Sequence, residues 1–183
     1  MAVSNQWKMS SLAYFLDFFT APLFVLAALY LGPFHWVQAV CGLLLWSLIE
    51  YLTHRFLFHT WYRREHWTHH LDELAYIGIS SWKTSAVYAA LLVLAWAAQL
   101  TSAYAGLVVG YFLYISLHYV MHRPSHWCYR FIPLLVASHD LHHHRGIEKN
   151  FGVSSPLWDV VFGTYIARLP DEGTMASAKE GRS

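Results

Sequence analysis

Long apolar runs separated by short polar punctuation organise the chain. Four such runs, at 12–31, 36–52, 84–100 and 103–117, each come close to the length an α-helix needs to cross the hydrocarbon core of a bilayer. The second and fourth are short for that task, so their helices are expected to continue beyond the lipid. Only Asp17 and Glu50 are charged within the four runs. The links at 32–35 and 99–102 are brief, which pairs the runs into two helical hairpins with both turns on one side of the membrane. Two polar segments rich in histidine, 54–83 and 118–167, lie at the other ends, and a polar tail at 168–183 is expected to be mobile. The expected fold is all-α and integral to the membrane. It is a single domain over 1–183, in which four transmembrane helices in two hairpins carry a helical cap.

Composition agrees with this reading, because 56% hydrophobic and 13% charged residues lie outside the range of an ordinary soluble domain. All 12 Lys and Arg residues avoid the two turns. By the positive-inside rule, the cap and both termini are therefore expected in the cytoplasm. A net charge of +1 gives no basis for nucleic-acid binding. The N-terminus lacks the basic start and cleavage site of a signal peptide, so the first helix is expected to be retained. Cys41 in mid-membrane and Cys128 at the cytoplasmic surface are too far apart for a disulfide, and neither belongs to a CxxC motif.

The chemistry lies in the histidines. Ten of the 13 fall into four groups: His54 and His59; His66, His69 and His70; His118 and His122; His139, His142 and His143. On a helix, spacing i, i+3, i+4 gathers three rings within an arc of about 100°, so the rings of a triplet can face one centre. His54 and His59 are about 140° apart on a regular helix; they require a helix end, a bulge or a second metal. A lone histidine at a membrane surface is ordinarily an amphipathic anchor. Ten on one side, with three groups at ligand spacing, point instead to metal, and five from each half suit two ions. A structural zinc site needs four ligands, and a transport path would place ligands within the spans. A cap of ligands favours chemistry at the membrane surface, with a zinc-binding or zinc-transporting membrane protein as the competing class. Imidazole alone does not choose among Fe, Zn, Cu and Ni.

HRFLFH (54–59), HWTHH (66–70), HYVMH (118–122), HDLHH (139–143) and NFGVSSPLWDVVFGT (150–164), in that order, resemble the histidine boxes and closing signature of the membrane-bound fatty acid hydroxylase and sterol desaturase superfamily. The resemblance implies a non-haem di-iron oxygenase that uses O2 and two electrons to hydroxylate a lipid C–H bond, with the ten histidines as ligands of a dimetal centre. Zinc can take the place of iron in such sites in purified protein. The closing segment is most similar to that of fatty acid 2-hydroxylases, which implies attack next to an acyl carboxyl group. Sterol or carotenoid hydroxylases and desaturases of the same superfamily are the alternative. Some relatives carry a fused cytochrome b5-like domain. Here the first helix begins close to the start of the chain, so electrons are expected from a separate donor, cytochrome b5-like or ferredoxin-like. The Pro-rich stretch expected after the first HxxHH is replaced by LDELAYIGISSWK (71–83), which leaves substrate choice open.

Around the boxes, Glu50 lies one turn before His54 at the end of a span, where an unpaired carboxylate is costly. It is expected to partner a ligand histidine, Arg55 or another cation. Tyr111 and Tyr114 are candidates for lining a substrate channel. Asp140 is expected in a surface salt bridge, Asp17 in snorkelling or helix packing, and His126 and His144 at the surface or behind the ligands. His35 lies on the opposite side. Ser155, Pro156 and Gly163 suit the cap, first position and stop of a short helix, with Trp158 and Phe162 on one face as a lid that sheds water. No separate general acid or base is assigned.

Overall fold

A computed structural model describes residues 8–76 and 78–167, whose regular elements are helices, with no β-strand among the described residues. The tail at 168–183 lies outside the described residues. The first run folds as α1 (Ser11–Phe15) and α2 (Asp17–Leu31), with Ser10 capping α1 through its side chain. Pro22 lies within α2, where it cannot donate to the carbonyl four residues earlier. The second run is α3 (Trp36–Leu52), continued without a break by a π-helical segment, Thr53–Trp61. The cap contains α4 (Arg63–Leu71), α7 (Pro133–His144) and α8 (Leu157–Val161); the second hairpin is α5 (Ser81–Ala97) and α6 (Thr101–Met121).

Three helical stretches, Ser11–Leu31, Trp36–Trp61 and Thr101–Met121, are long and apolar enough to cross a membrane. The continuations of the second and fourth runs past residues 52 and 117 appear where the sequence leads one to expect them. The third run differs: its helix begins and ends three residues earlier than the hydropathy suggests, because Gln99 turns the chain at φ 60°. At 17 residues, α5 is about 26 Å long, a little less than the hydrocarbon core.

α6 is the central helix and packs against α2, α3 and α5. Close approach to α3 depends on small residues: a Cβ on Gly42 would collide with the Ala103 carbonyl, and one on Gly106 with the Ala39 carbonyl. Gly106 and Gly110 are four apart, the spacing that lets apolar helices pack backbone against backbone in lipid. Large side chains such as Phe19, Leu23, Val93 and Leu94 point outward, as a lipid-facing surface requires.

The two interhelical turns lie together. The Ser102 hydroxyl accepts from His35 N–H at 2.9 Å and donates to the Pro33 carbonyl at 3.1 Å. Both turns therefore occupy one end of the bundle, and the histidines collect at the other. Cys41 and Cys128 are both free.

Candidate metal centre

Nine of the ten box histidines form two nests. In one, His54, His59, His66 and His142 bring one nitrogen each within 4.8 Å of one another; in the other, His69, His118, His122, His139 and His143 do the same. His70 sits between the nests. Its Nε2 is 3.0 Å from that of His66, while its ring stacks on His143 with centroids 4.1 Å apart. His35 is at the far end of the bundle, beside Ser102.

Each HxxHH helix serves both nests, although its three rings lie close enough to face one centre. In α4, His66 joins the first nest and His69 the second; in α7, His139 and His143 join the second and His142 the first. The reason is helical geometry. Positions i and i+4 lie about 40° apart, whereas i+3 lies about 60° to the other side of i, so two adjacent centres divide the triplet. The halves of the chain are thereby stitched together, since each nest takes ligands from both. His54 and His59 reach the same nest because the segment that carries them is π-helical. A hydrogen-bonding step of five residues brings i and i+5 onto one face.

The inner nitrogens are lone-pair donors. His54 Nδ1–H donates to the Phe151 carbonyl at 2.6 Å and His142 Nδ1–H to the Lys149 carbonyl at 2.7 Å, which fixes their tautomers and turns bare Nε2 atoms inward. His122 Nδ1 donates to Glu73 Oε2 at 3.2 Å, and its Nε2 then faces those of His118 at 3.3 Å and His139 at 3.0 Å. The Nε2 atoms of His59, His142 and His143 are buried without a hydrogen-bond partner among the described residues. Imidazole lone pairs converging at such distances repel one another unless a cation lies between them. The donor set fits a divalent metal in each nest. Burial, helped by neighbouring imidazoles, holds His69, His139 and His143 well below the ordinary imidazole range and His142 down to about 3. These rings are therefore neutral, the form that ligates.

The carbonyls that orient His54 and His142 flank Asn150, a fully buried residue at φ 53°, a left-handed conformation that asparagine tolerates better than most residues. Its side chain bonds the Ile166 main chain, donating at 2.9 Å and accepting at 2.8 Å. Asp159, also fully buried, accepts from Phe151 N–H at 2.8 Å, Gly152 N–H at 2.7 Å and the Thr164 hydroxyl at 2.7 Å. A side chain on Gly152 would strike the Ser155 carbonyl and this carboxylate.

Glu50 corrects the sequence reading. Its carboxylate faces neither a histidine nor Arg55. It accepts from Val153 N–H at 2.7 Å and Ser154 N–H at 2.8 Å, and from the Ser154 hydroxyl. Arg55 donates instead to Tyr51 at 2.7 Å. Glu50 thus holds the loop whose Phe151 carbonyl orients His54. Replacement by alanine is expected to cost about 2–4 kcal/mol, because buried donors lose their acceptor, and replacement by glutamine less than half of that. Thermal unfolding in detergent reads the difference, and equal stability of Glu50→Ala and the unaltered protein would contradict it.

The closing segment covers the first nest: the Phe151 ring lies 5.1 to 5.7 Å from those of His54, His59 and His142. Trp158 and Phe162 stack on each other, and Phe162 also stacks on Tyr51. α8 starts one residue later than the sequence suggests, with the Ser155 hydroxyl accepting from Leu157 N–H at 3.2 Å and Gly163 ending it at φ 69°. Asp140 pairs with His144 at 3.1 Å, and His126 accepts from Cys128 N–H. Asp17 is buried and accepts from Tyr111 at 2.5 Å, a helix-packing contact between α2 and α6. Glu73, Asn150 and Asp159 escape the sequence reading; the one local signal for Asp159 is an acid set in the apolar run PLWDVVFG.

A cavity of about 330 Å³ runs from the nests into the helical bundle. His54, His66, His69 and His118 line one end, and Tyr88, Tyr111, Tyr114 and Ile115 line its wall. The Tyr114 ring stacks on His118.

Comparison with known proteins accounts for most of the chain. Residues 39–164 match the family profile described as Fatty acid hydroxylase. A fatty acid 2-hydroxylase of Macaca fascicularis is 34% identical over 146 residues, covering 70% of this chain and 39% of the relative. The dihydroceramide fatty acyl 2-hydroxylase FAH2 of Arabidopsis thaliana is 33% identical over 162 residues, covering 76% and 62%. The chain thus spans between about two fifths and three fifths of the length of these curated relatives. A solved structure of full-length scs7p, in which only the hydroxylase domain is visible, superposes with a TM-score of 0.66 at 25% identity over 86% of this chain and 69% of that one. A match of this extent, over a bundle that gathers the four histidine boxes at one end, places the chain in the fatty acid hydroxylase family.

Proposed function

We propose that the protein is a membrane-bound di-iron oxygenase that hydroxylates a fatty acyl chain next to its carboxyl end, at C2, using O2 and two electrons. The ten box histidines are the ligands, with His70 completing the first nest. The observation that carries this reading is the meeting of an apolar cavity with both nests at once: His54 and His66 of the first and His69 and His118 of the second share its end wall. The relatives named as fatty acid and fatty acyl 2-hydroxylases support the substrate and position. In this reading α5 completes four spans and the cap faces the cytoplasm. A cytochrome b5-like or ferredoxin-like protein supplies electrons there. The hydroxylase unit is a single domain.

The metal pair, when bound, supplies the power to activate dioxygen for attack on an unactivated C–H bond. The chain supplies position and dryness. α3 and α6 deliver their histidines just past the apolar part of the bundle, so a lipid whose headgroup rests at the interface presents carbons near that headgroup. The cavity wall of Tyr111, Tyr114 and Ile115 holds the acyl chain along α6. Phe151 keeps water from the first nest, with Tyr51 and Phe162 packed behind it. The carbonyls of residues 149 and 151 hold the protons on His142 and His54 at Nδ1, which leaves Nε2 free to ligate.

Lipid mass spectrometry of cells with and without the protein tests the proposal. The expected product is acyl chain bearing one added oxygen, located at C2 by fragmentation. Oxygen on a sterol or carotenoid would move the chain to the sibling chemistry of the superfamily. A metal-loaded protein that adds oxygen to no lipid would overturn the enzyme reading in favour of zinc binding or transport.

A further inference from the structure

The two nests differ in what holds their outer nitrogens. In the first, His54 and His142 donate to main-chain carbonyls, Phe151 O at 2.6 Å and Lys149 O at 2.7 Å. In the second, a side-chain carboxylate takes that place. Glu73 Oε2 accepts from His122 Nδ1 at 3.2 Å, and Oε1 lies 3.0 Å from His143 Nδ1. One acid thus holds His122, at the end of α6, by a hydrogen bond and places its charge beside His143 of α7, whose Nδ1 makes no hydrogen bond among the described residues; His144 Nε2 lies 3.5 Å behind it.

A carbonyl dipole and a carboxylate do not act alike on a ligand. The carboxylate pulls harder on the Nδ1 proton, which makes Nε2 more basic, and it adds a negative charge beside the bound cation. It also fixes the orientation of the His122 ring, so less freedom is lost when the metal arrives. Glu73 lies in 71–83, the stretch in which the chain departs from the Pro-rich pattern of the superfamily it resembles. The asymmetry is therefore not set by the spacing of the histidine boxes.

We propose that the two metal positions are unequal, and that Glu73 is the positioning residue that makes the nest of His69, His118, His122, His139 and His143 fill first and hold its ion more tightly. The proposal rests on the dimetal reading above. Its consequence is an order of assembly. The nest of His54, His59, His66 and His142, oriented by the loop around Asn150, is completed last, so scarce metal yields a protein with one ion.

Titration of chelator-stripped, full-length protein in detergent with cobalt(II) decides the matter, read by ligand-field absorption and by bound cobalt after desalting. Two phases are expected, with half-saturation points separated by more than about tenfold. His59→Ala is expected to delete only the weaker phase. Glu73→Gln is expected to weaken the tighter phase about 10–100-fold, merging the two, and Glu73→Asp to restore part of the separation. Two ions bound in one phase by the unaltered protein would overturn the inequality while leaving the dimetal reading intact, and loss of the tighter phase in His59→Ala would do the same even if the Glu73 variants failed to fold. Binding of no more than one ion by the unaltered protein would end the dimetal reading and this proposal with it.

Discussion

Replacing His142 with alanine is expected to lower turnover by more than about 100-fold, since changes one layer further out already cost 10–100-fold, and to leave about one metal ion per chain in place of two. The prediction is specific because His142 lies in the second half of the chain yet joins the nest built mainly from the first. Its ring is fully buried, and its Nδ1 is committed to the Lys149 carbonyl. No neighbouring side chain can take over, because the remaining rings of that nest are held on other elements. The retained ion is expected in the second nest. His35→Gln, at the opposite end of the bundle, serves as the control and is expected to keep both ions and full turnover. Unchanged metal content in His142→Ala would contradict the assignment.

A second large effect is expected at Ile115, which lines the cavity wall three residues before His118. Tryptophan there fills the path along α6 while leaving every imidazole in place. Turnover of a long acyl substrate, as kcat/KM, is expected to fall by at least about tenfold, the scale of misfit in an apolar pocket. Both metal ions are expected to remain, which separates a blocked path from a damaged centre. A short acyl substrate is expected to lose less. If the long substrate were turned over undiminished, this cavity would not be the acyl site.

Much of this architecture is readable from the sequence because its signals are local. α3 begins and ends where its apolar run does, at Trp36 and Leu52, since lipid-facing helices are marked by composition alone. The four histidine boxes mark the candidate site for the same reason: ligand spacing is a short-range pattern. What the sequence hides is long-range or depends on exact helical phase. Glu50 looks like a partner for His54 one turn away, but its acceptors are claimed by Val153 and Ser154, about 100 residues along the chain. Glu73 likewise reaches His122, 49 residues on, and His143, further still. The sharing of each HxxHH motif between two nests follows from the presence of two adjacent centres, which no single motif encodes. The π-helical turn that unites His54 with His59 answers a conflict visible in the sequence, though the spacing does not say which of several remedies the chain adopts.

The central claim is that two neighbouring ions are each gripped by imidazoles drawn from both halves of the chain. Anomalous scattering at the iron edge, from crystals of the iron-loaded protein, tests it most directly. The account predicts two adjacent peaks, one among His54, His59, His66 and His142 and the other among His69, His118, His122, His139 and His143, each about 2.0–2.2 Å from its ligating nitrogens. A single peak, or iron bound away from these rings, would contradict it.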